Sequence, residues 1–150
     1  MEIGGGACVG DATVVGSRAP LLEYEEAVPV PGYAFAKADV RTDLLRPAKG
    51  EPPREPLFFL PKGPVSRWFD LRAGGRTIPH AAWVRDTPEL RDMIVLSWQP
   101  GILDRWLEED EPVAGHPRDP HKRVEAIPSS RHVVVDPNGV RLADRDRPAL

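Results

Sequence analysis

Three of the four histidines fall in residues 116–132, HPRDPHKRVEAIPSSRH. Imidazole nitrogens and a carboxylate are ligands that zinc accepts, so His116, His121, His132 and Asp119 are candidates for a metal site. Their spacing matches no standard metal-binding pattern, and prolines break the segment. The alternative is a solvated connector, which the spacing favours. We therefore expect no metal site and no cofactor.

Basic residues in the same segment suggest a second chemistry, the binding of anions. Arginine forks grip phosphate or carboxylate groups. An acidic block at 104–111 comes just before these basic residues, so the alternative is that the two blocks pair with each other. The candidates for an anion site are Arg118, Lys122, Arg123 and Arg131.

Nucleophilic catalysis has little support in the sequence. Ser129 and Ser130 lie near His132, but no Gly-x-Ser-x-Gly elbow accompanies them. Cys8 is the single cysteine and has no neighbouring base, and the glycines at 4–6 lack the Gly-Lys-Ser/Thr of a phosphate loop. No reaction can be assigned, and whether the protein is an enzyme stays open.

Aromatic residues offer the remaining candidate site. Trp68, Trp83, Trp98 and Trp106 all lie on predicted strands. They could simply pack in a small β core, or two or three could line a groove for a planar or cationic small molecule. We predict such a groove, with polar groups at its mouth. Its candidate residues are Lys62, Trp68, Trp83, His80, Arg41 and Asp43.

Composition limits the architecture that can hold such a site. The chain of 150 residues contains 18 prolines, which exclude long helices and favour short strands joined by turns. The net charge of −3 gives no basic face for nucleic acid, and no apolar stretch reaches membrane-spanning length. We expect a cytoplasmic protein with no nucleic-acid or membrane partner.

Local patterns predict several elements. Residues 1–10 are expected to be a flexible end, and 87–92 to hold one or two helical turns after the Asp86-Thr87-Pro88 start signal. Asn138-Gly139 and Gly74-Gly75 are typical hairpin turns. The predicted strands and hairpins are LFFL at 57–60, a hairpin over 67–83, a central strand over 93–98, and a hairpin over 131–144.

Several segments resemble a bacterial family known as domain of unknown function 427. They are KADVRTDLL at 37–45, PKGPVSRWFDL at 61–71, HAAWV at 80–84, and WLEEDEPVAGHPRDPHKRVEAIPSSRHVVV at 106–135. The last resembles the linker between tandem copies of the domain. Leu60 and Pro61 depart from the family's Cys-Tyr, and Trp83-Val84-Arg85 from its Trp-Ser-Tyr.

The resemblance implies a small, mainly β, antiparallel tent-like fold with at most one or two helical turns. It makes 102–107 a strand that enters a hairpin through Glu108–Glu111. The expected division is a β-domain at 11–115, a proline-rich basic linker at 116–130, and a C-terminal hairpin at 131–150. That hairpin would begin a second repeat or complete the first sheet, in the same chain or by exchange in a homodimer.

Three functions follow as expectations. The first is binding of an unidentified small molecule in the aromatic groove. The second, implied by a label that the family carries, is an enzyme of nucleotidyltransferase type acting on a nucleotide-like substrate, for which Asp39 and Asp43 could hold Mg²⁺. The third is a non-catalytic assembly module that uses the C-terminal hairpin.

Overall fold

The protein is described by a computed structural model that covers residues 4–53, 58–121 and 126–149. Within these residues the chain is mainly β and antiparallel, which confirms the predicted fold class. The strands are β1 (Gly5–Val9), β2 (Ala12–Ser17), β3 (Leu21–Glu23), β4 (Gly32–Ala36), β5 (Leu45–Pro47), β6 (Val65–Ala73), β7 (Arg76–Arg85), β8 (Met93–Leu96), β9 (Arg105–Glu108), β10 (Glu111–Val113), β11 (His132–Val135) and β12 (Ala143–Asp146).

The larger sheet has six strands in the order β3-β4-β8-β7-β6-β5. Its centre confirms the prediction for MIVLSW, because β8 pairs with β4 on one side and β7 on the other. The predicted hairpin of β6 and β7 is also present, and it turns on Gly74 and Gly75 at φ values of 56° and 72°. Positive φ is the conformation that glycine adopts without steric cost.

A second sheet has four strands in the order β10-β9-β1-β2. The predicted strand and hairpin around Glu108–Glu111 are present as β9 and β10. The expectation of a flexible end over residues 1–10 is wrong for Gly5–Val9, which form the interior strand β1. A Cβ on Gly5 would lie 3.3 Å from Pro20 and 3.4 Å from the ring of Phe35. A side chain at position 5 would crowd these neighbours, so β1 requires a glycine there.

The two sheets share one core. It includes Ala7 and Val15 from the four-stranded sheet, and Phe35, Leu71 and Ala82 from the six-stranded sheet, all at most 1% exposed. Side chains that meet across the two sheets supply the buried apolar surface of this core.

Two local predictions are wrong. Phe58–Leu60 form a turn and bend instead of a strand, and Leu57 lies outside the described residues. Pro61 and Pro64 lack the N–H groups that a sheet neighbour would need. Residues 87–92 form two successive turns, closed by Leu90 N to Thr87 O and Met93 N to Leu90 O, without an assigned helix.

The helical turns present are all 3-10 turns of three residues. In the described part of the chain they are Lys37–Asp39, Thr42–Leu44 and Pro137–Gly139. No helix among the described residues is long and apolar enough to cross a membrane.

The C-terminal hairpin forms as predicted, with Asn138 and Gly139 at positive φ values of 53° and 79°. Within the described chain β11 and β12 pair only with each other and extend neither of the larger sheets. The N-terminal strands that they were expected to replace are themselves formed, since β1 and β2 pair and Val14 and Val15 are buried. That the hairpin begins a second repeat, or completes a sheet by exchange in a homodimer, stays a prediction.

Candidate functional site

One end of the six-stranded sheet holds a pocket lined mainly by apolar and aromatic side chains, which we name the aromatic pocket. Its cavity volume is about 40 Å³, and the open space at its mouth brings the total empty volume to about 420 Å³. Its lining residues are Trp83, Trp98, Phe58, Phe59, Leu60, Val28, Val30, Pro31, Gly32, Val95 and Leu96, with the carboxylates Glu23 and Glu25.

The two tryptophans are positioned by different parts of the core. Trp83 on β7 lies opposite Val95 of β8 and packs with Ala34 in a small cluster of its own. Trp98 follows β8 and stacks on Trp106, with ring centroids 3.8 Å apart and an interplanar angle of 8°. These contacts hold both indole rings in place as walls of the pocket.

Among the described residues, both indole N–H groups lack a hydrogen-bond acceptor. Trp83 is 4% exposed and Trp98 is 7% exposed, and in each case the Nε1 atom is buried without a partner. A buried donor left without an acceptor costs about 1–3 kcal/mol. Native proteins leave few such groups, and each one requires an explanation. Here both belong to residues that line the same pocket.

An ion-pair cluster lies at the carboxylate side of the pocket. Arg85 on β7 is 6% exposed and pairs with Glu23 through Nε and with Glu25 through Nη2. Burial opposes the charge of Arg85, but the two carboxylates outweigh it, and the guanidinium pKa is raised. Burial also raises the pKa of Glu23, although Arg85 acts against that rise.

Glu25 has a further role in holding a loop. Its Oε1 accepts hydrogen bonds from the backbone N–H groups of Lys62, at 2.9 Å, and Gly63, at 2.7 Å. The loop that follows Phe58–Leu60 is therefore fixed to the strand region that carries the carboxylates. This contact closes one side of the aromatic pocket.

The structure brings three of the predicted groove residues together. The ring of Trp68 lies 5.4 Å from that of Trp83 and 5.8 Å from that of His80. Trp68 does not line the aromatic pocket; with Lys62 it lines a separate open depression. His80 has a φ of 49°, its N–H donates to Asp70, and its Nε2 lies 3.1 Å from the carbonyl of Gly50.

Arg41 and Asp43 do not join this group. Arg41 donates to Asp43 from Nε at 2.8 Å and from Nη2 at 2.7 Å, and both side chains are exposed. Neither residue lines the aromatic pocket. They do not stand at the mouth of this pocket, and their part in ligand binding stays a prediction.

Two of the four anion candidates, Arg118 and Arg131, are paired with the acidic block, as the alternative interpretation has it. Arg118 donates to Glu108 at 3.0 Å and to Glu111 at 2.9 Å. Arg131 pairs with Glu109 at 2.6 Å. Lys122 and Arg123 lie outside the described residues.

Glu108 is fully buried and is the centre of this network. Its Oε1 accepts hydrogen bonds from the hydroxyl of Tyr33, at 2.8 Å, and from the backbone N–H of Arg118, at 2.7 Å. Burial, followed by the charge of Glu108, raises the pKa of Tyr33 well above its usual range. The interpretation of residues 116–130 as a solvated connector is therefore wrong where they are described, since they pack onto the domain through Pro117, Asp119, Ile127 and Ser129.

The three histidines of residues 116–132 contact different groups. His116 Nδ1 lies 2.8 Å from the carbonyl of Pro117, and His121 lies against the ring of Tyr24. His132 pairs with Asp144 and Asp146 of the hairpin. Among the residues that the structure describes, no three His, Cys, Asp or Glu side chains gather where they could hold a metal ion.

The sequence interpretation missed Glu23, Arg85 and the role of Trp98. One signal was available, since Arg85 directly follows the apolar run Ala81–Val84, and a charged residue continuing such a run is buried only with a partner. The partner could not be identified, because Glu23 is 62 residues away.

The chain is therefore a small, mainly antiparallel β protein with an aromatic, partly acidic pocket. Comparison with known proteins gave no match to any family model and none to a curated protein. The resemblance to family 427 stays a prediction.

Proposed function

We propose that the protein binds a small, flat, largely apolar molecule in the aromatic pocket. The observation that carries the proposal is the lining of the pocket, in which the rings of Trp83, Trp98 and Phe59 stand beside the carboxylates of Glu23 and Glu25. Binding sites for small molecules are typically apolar, with a few polar groups that fix orientation. An aromatic lining with two carboxylates fits that description.

A ligand would gain free energy by burying apolar surface. Its flat body would pack against the rings of Trp83, Trp98 and Phe59, at about 25 cal/mol per Å² of surface removed from water.

Acetophenone is a suitable probe, since it is small, flat and largely apolar. We expect ¹⁵N–¹H spectra of the protein to show the indole signals of Trp83 and Trp98 moving as acetophenone is added. The signals of Trp68 and Trp106 serve as internal controls and should move less. Uniform small changes in all four, or none at millimolar probe, would contradict the proposal.

We propose assembly through the C-terminal hairpin as a second candidate. Its strands β11 and β12 have no other strand beside them in the described chain, and Val140 and Leu142 are 60% and 68% exposed. Unpaired edges beside exposed apolar groups favour pairing with another chain. A second copy of this chain is the partner in the simplest case.

Light scattering on the intact protein tests assembly. We expect a concentration-dependent dimer that Leu142→Asp abolishes, while the control Leu21→Asp, at an exposed leucine on β3, leaves it intact. A monomer at all concentrations would exclude this candidate. The nucleotidyltransferase alternative stays a prediction.

A further inference from the structure

The aromatic pocket carries a surplus of negative charge. Among the described residues that line it, only Glu23 and Glu25 have ionisable side chains, and both are carboxylates. Arg85 does not line the pocket but pairs with each of them. Two carboxylates share this one guanidinium, so the cluster has a formal charge of −1 when both are ionised. Charges in a partly buried site are weakly screened by salt, so the pocket favours a positively charged group.

The two carboxylates differ in how much hydrogen bonding they already accept. The described residues supply Glu23 with one hydrogen bond, from Nε of Arg85 to Oε1. They supply Glu25 with three contacts from the backbone N–H groups of Lys62 and Gly63, besides its pairing with Arg85. An ionised carboxylate has room for several hydrogen bonds. Glu23 is therefore the group that can accept from a donor on the ligand.

The charge of Glu23 is incompletely balanced in the free protein. Burial raises its pKa, and the charge of Glu25 adds to the rise, although Arg85 acts against it. A further positive charge in the pocket would favour the ionised form of Glu23. The same interaction would hold a cationic ligand.

The rest of the lining determines which kind of cation fits. A metal ion requires several ligands, and no three His, Cys, Asp or Glu side chains of the described chain gather to hold one. The other lining residues are uncharged and largely apolar, and they include the rings of Trp83, Trp98 and Phe59. Aromatic rings attract cations near their faces, and their surface packs against an apolar body. The matching ligand is an organic cation.

The size of the pocket limits the charged part of this ligand. A cavity needs about 10–15 Å³ to hold one water molecule, and an apolar cavity of about 150 Å³ holds benzene. The cavity volume here is about 40 Å³, so a small head group fits inside and a ring must lie in the open space at the mouth. A group confined in so small a cavity lies close to every wall, Glu23 included. A primary ammonium group has the size and the charge that these walls require.

Resting on the proposed function, we infer that the aromatic pocket recognises a protonated amine carried by a flat apolar body. The ammonium group occupies the cavity and donates to Glu23, while the body packs against the aromatic lining. A negatively charged head group is disfavoured by the same two carboxylates.

Three probes with the same ring and different charge test the inference: benzylammonium, benzyl alcohol and benzoate. We expect benzylammonium to bind the full-length protein about tenfold more tightly than benzyl alcohol, because its hydrogen bond to Glu23 joins two opposite charges. Benzoate should bind more weakly than benzyl alcohol, since it meets the surplus negative charge. The measurement is the titration of the indole signals of Trp83 and Trp98.

The contribution of Glu23 is tested by Glu23→Gln, with Glu26→Gln as the matched control. Glu26 is exposed and does not line the pocket, so each change removes one negative charge from the same region of the chain. Only Glu23→Gln should abolish the preference for benzylammonium over benzyl alcohol, while Glu25 still pairs with Arg85. Retention of the preference in Glu23→Gln would overturn the inference. Equal losses in both variants would also overturn it, because they would show attraction to the general surface charge.

The outcomes distinguish the two proposals. If acetophenone leaves the indole signals unmoved, the proposed function fails. If acetophenone binds and benzylammonium binds no better than benzyl alcohol, or if benzoate binds best, the function stands and the ammonium inference is overturned. The wild-type comparison of the three probes needs no variant, so it decides the matter if Glu23→Gln fails to fold.

Discussion

The ring of Trp98 stacks on the ring of Trp106, with centroids 3.8 Å apart and planes 8° from parallel. Trp106 in turn stacks on Phe35, at 6.3 Å and 19°. One wall of the aromatic pocket is thus the end of a column of rings that begins in the shared core. The position of Trp98 is set by packing that a ligand does not supply.

Replacing Trp106 should therefore affect both stability and the pocket. We expect Trp106→Leu to lower the free energy of unfolding by about 3 kcal/mol, because it removes a buried aromatic ring and its stacking. Urea unfolding measures the loss. The half-buried Trp68 is the control, and Trp68→Leu should cost about 1 kcal/mol. Equal losses at both sites would contradict the role of the column.

Replacing Trp83 by Phe keeps an aromatic wall of the pocket but removes the pyrrole part of the indole together with its N–H. In Trp83→Phe the free protein should lose about 1–2 kcal/mol, because the cost of the lost buried atoms exceeds the gain from removing a buried donor without an acceptor. Acetophenone should bind several-fold more weakly, since less ring surface remains to pack against. A loss of stability as large as that of Trp106→Leu would show that the N–H is satisfied in the free protein. Thermal unfolding and the titration described above give the two readings.

The ion pair of Glu108 and Arg118 tests whether the segment at 116–130 is part of the folded domain. Arg118→Ala leaves a fully buried carboxylate without its guanidinium, which costs about 3–5 kcal/mol in known cases. We expect a loss in that range in urea unfolding. Arg141→Ala breaks the exposed pairs with Asp136 and Asp144 and should cost less than about 1 kcal/mol. A small effect at Arg118 would mean that the segment is not part of the folded unit.

Glu109 gives a pH-dependent prediction. Its pKa is lowered: burial works to raise it, but hydrogen bonds from Gly4 and Ser129 and the charge of Arg131 outweigh burial. A lowered pKa in the folded state stabilises the protein above the unfolded-state pKa, and this stabilisation is lost as pH falls through the folded-state value.

Glu109→Gln should therefore cost about 1–3 kcal/mol at pH 7. The difference from wild type should shrink below about pH 4.5, the ordinary pKa of a glutamate. Unfolding in urea from pH 7 to pH 3 measures it, with Glu89→Gln at an exposed site as the control. A difference that stays constant to pH 3 would contradict the assignment.

Gly5 on β1 and Gly16 on β2 allow a matched test of how tightly these two strands are packed. A Cβ on Gly5 meets three side chains at 3.3–3.4 Å, whereas one on Gly16 meets nothing within 4 Å. Gly5→Ala should cost about 1–2 kcal/mol through overpacking. Gly16→Ala should stabilise by about 0.5 kcal/mol, because alanine loses less backbone entropy on folding. If both substitutions stabilise, residues 5–9 are not packed as described.

Elements defined by neighbouring residues could be predicted from the sequence. Gly74-Gly75 and Asn138-Gly139 fix their hairpins through local backbone preferences, and the apolar run at 93–96 becomes a central strand. Proline frequency alone excluded long helices.

Features that depend on distant neighbours could not be predicted. The glycines at 4–6 have the composition of a flexible end, and only the positions of Pro20, Phe35 and Tyr33 show why Gly5 needs no side chain. For the pocket, Trp83 was identified from its strand context. Glu23 was not, because its importance comes from a partner on another strand.

The position of β1 between β2 and β9 also bears on how the chain folds. Its pairing with β2 is local, but its pairing with β9 joins Gly5 to Glu108 and Cys8 to Arg105. During synthesis the β1–β2 hairpin would be complete long before β9 emerges from the ribosome. Closing that long loop is entropically costly and slows folding. Until then one edge of β1 stays open, which exposes this hairpin of the nascent chain to wrong pairing.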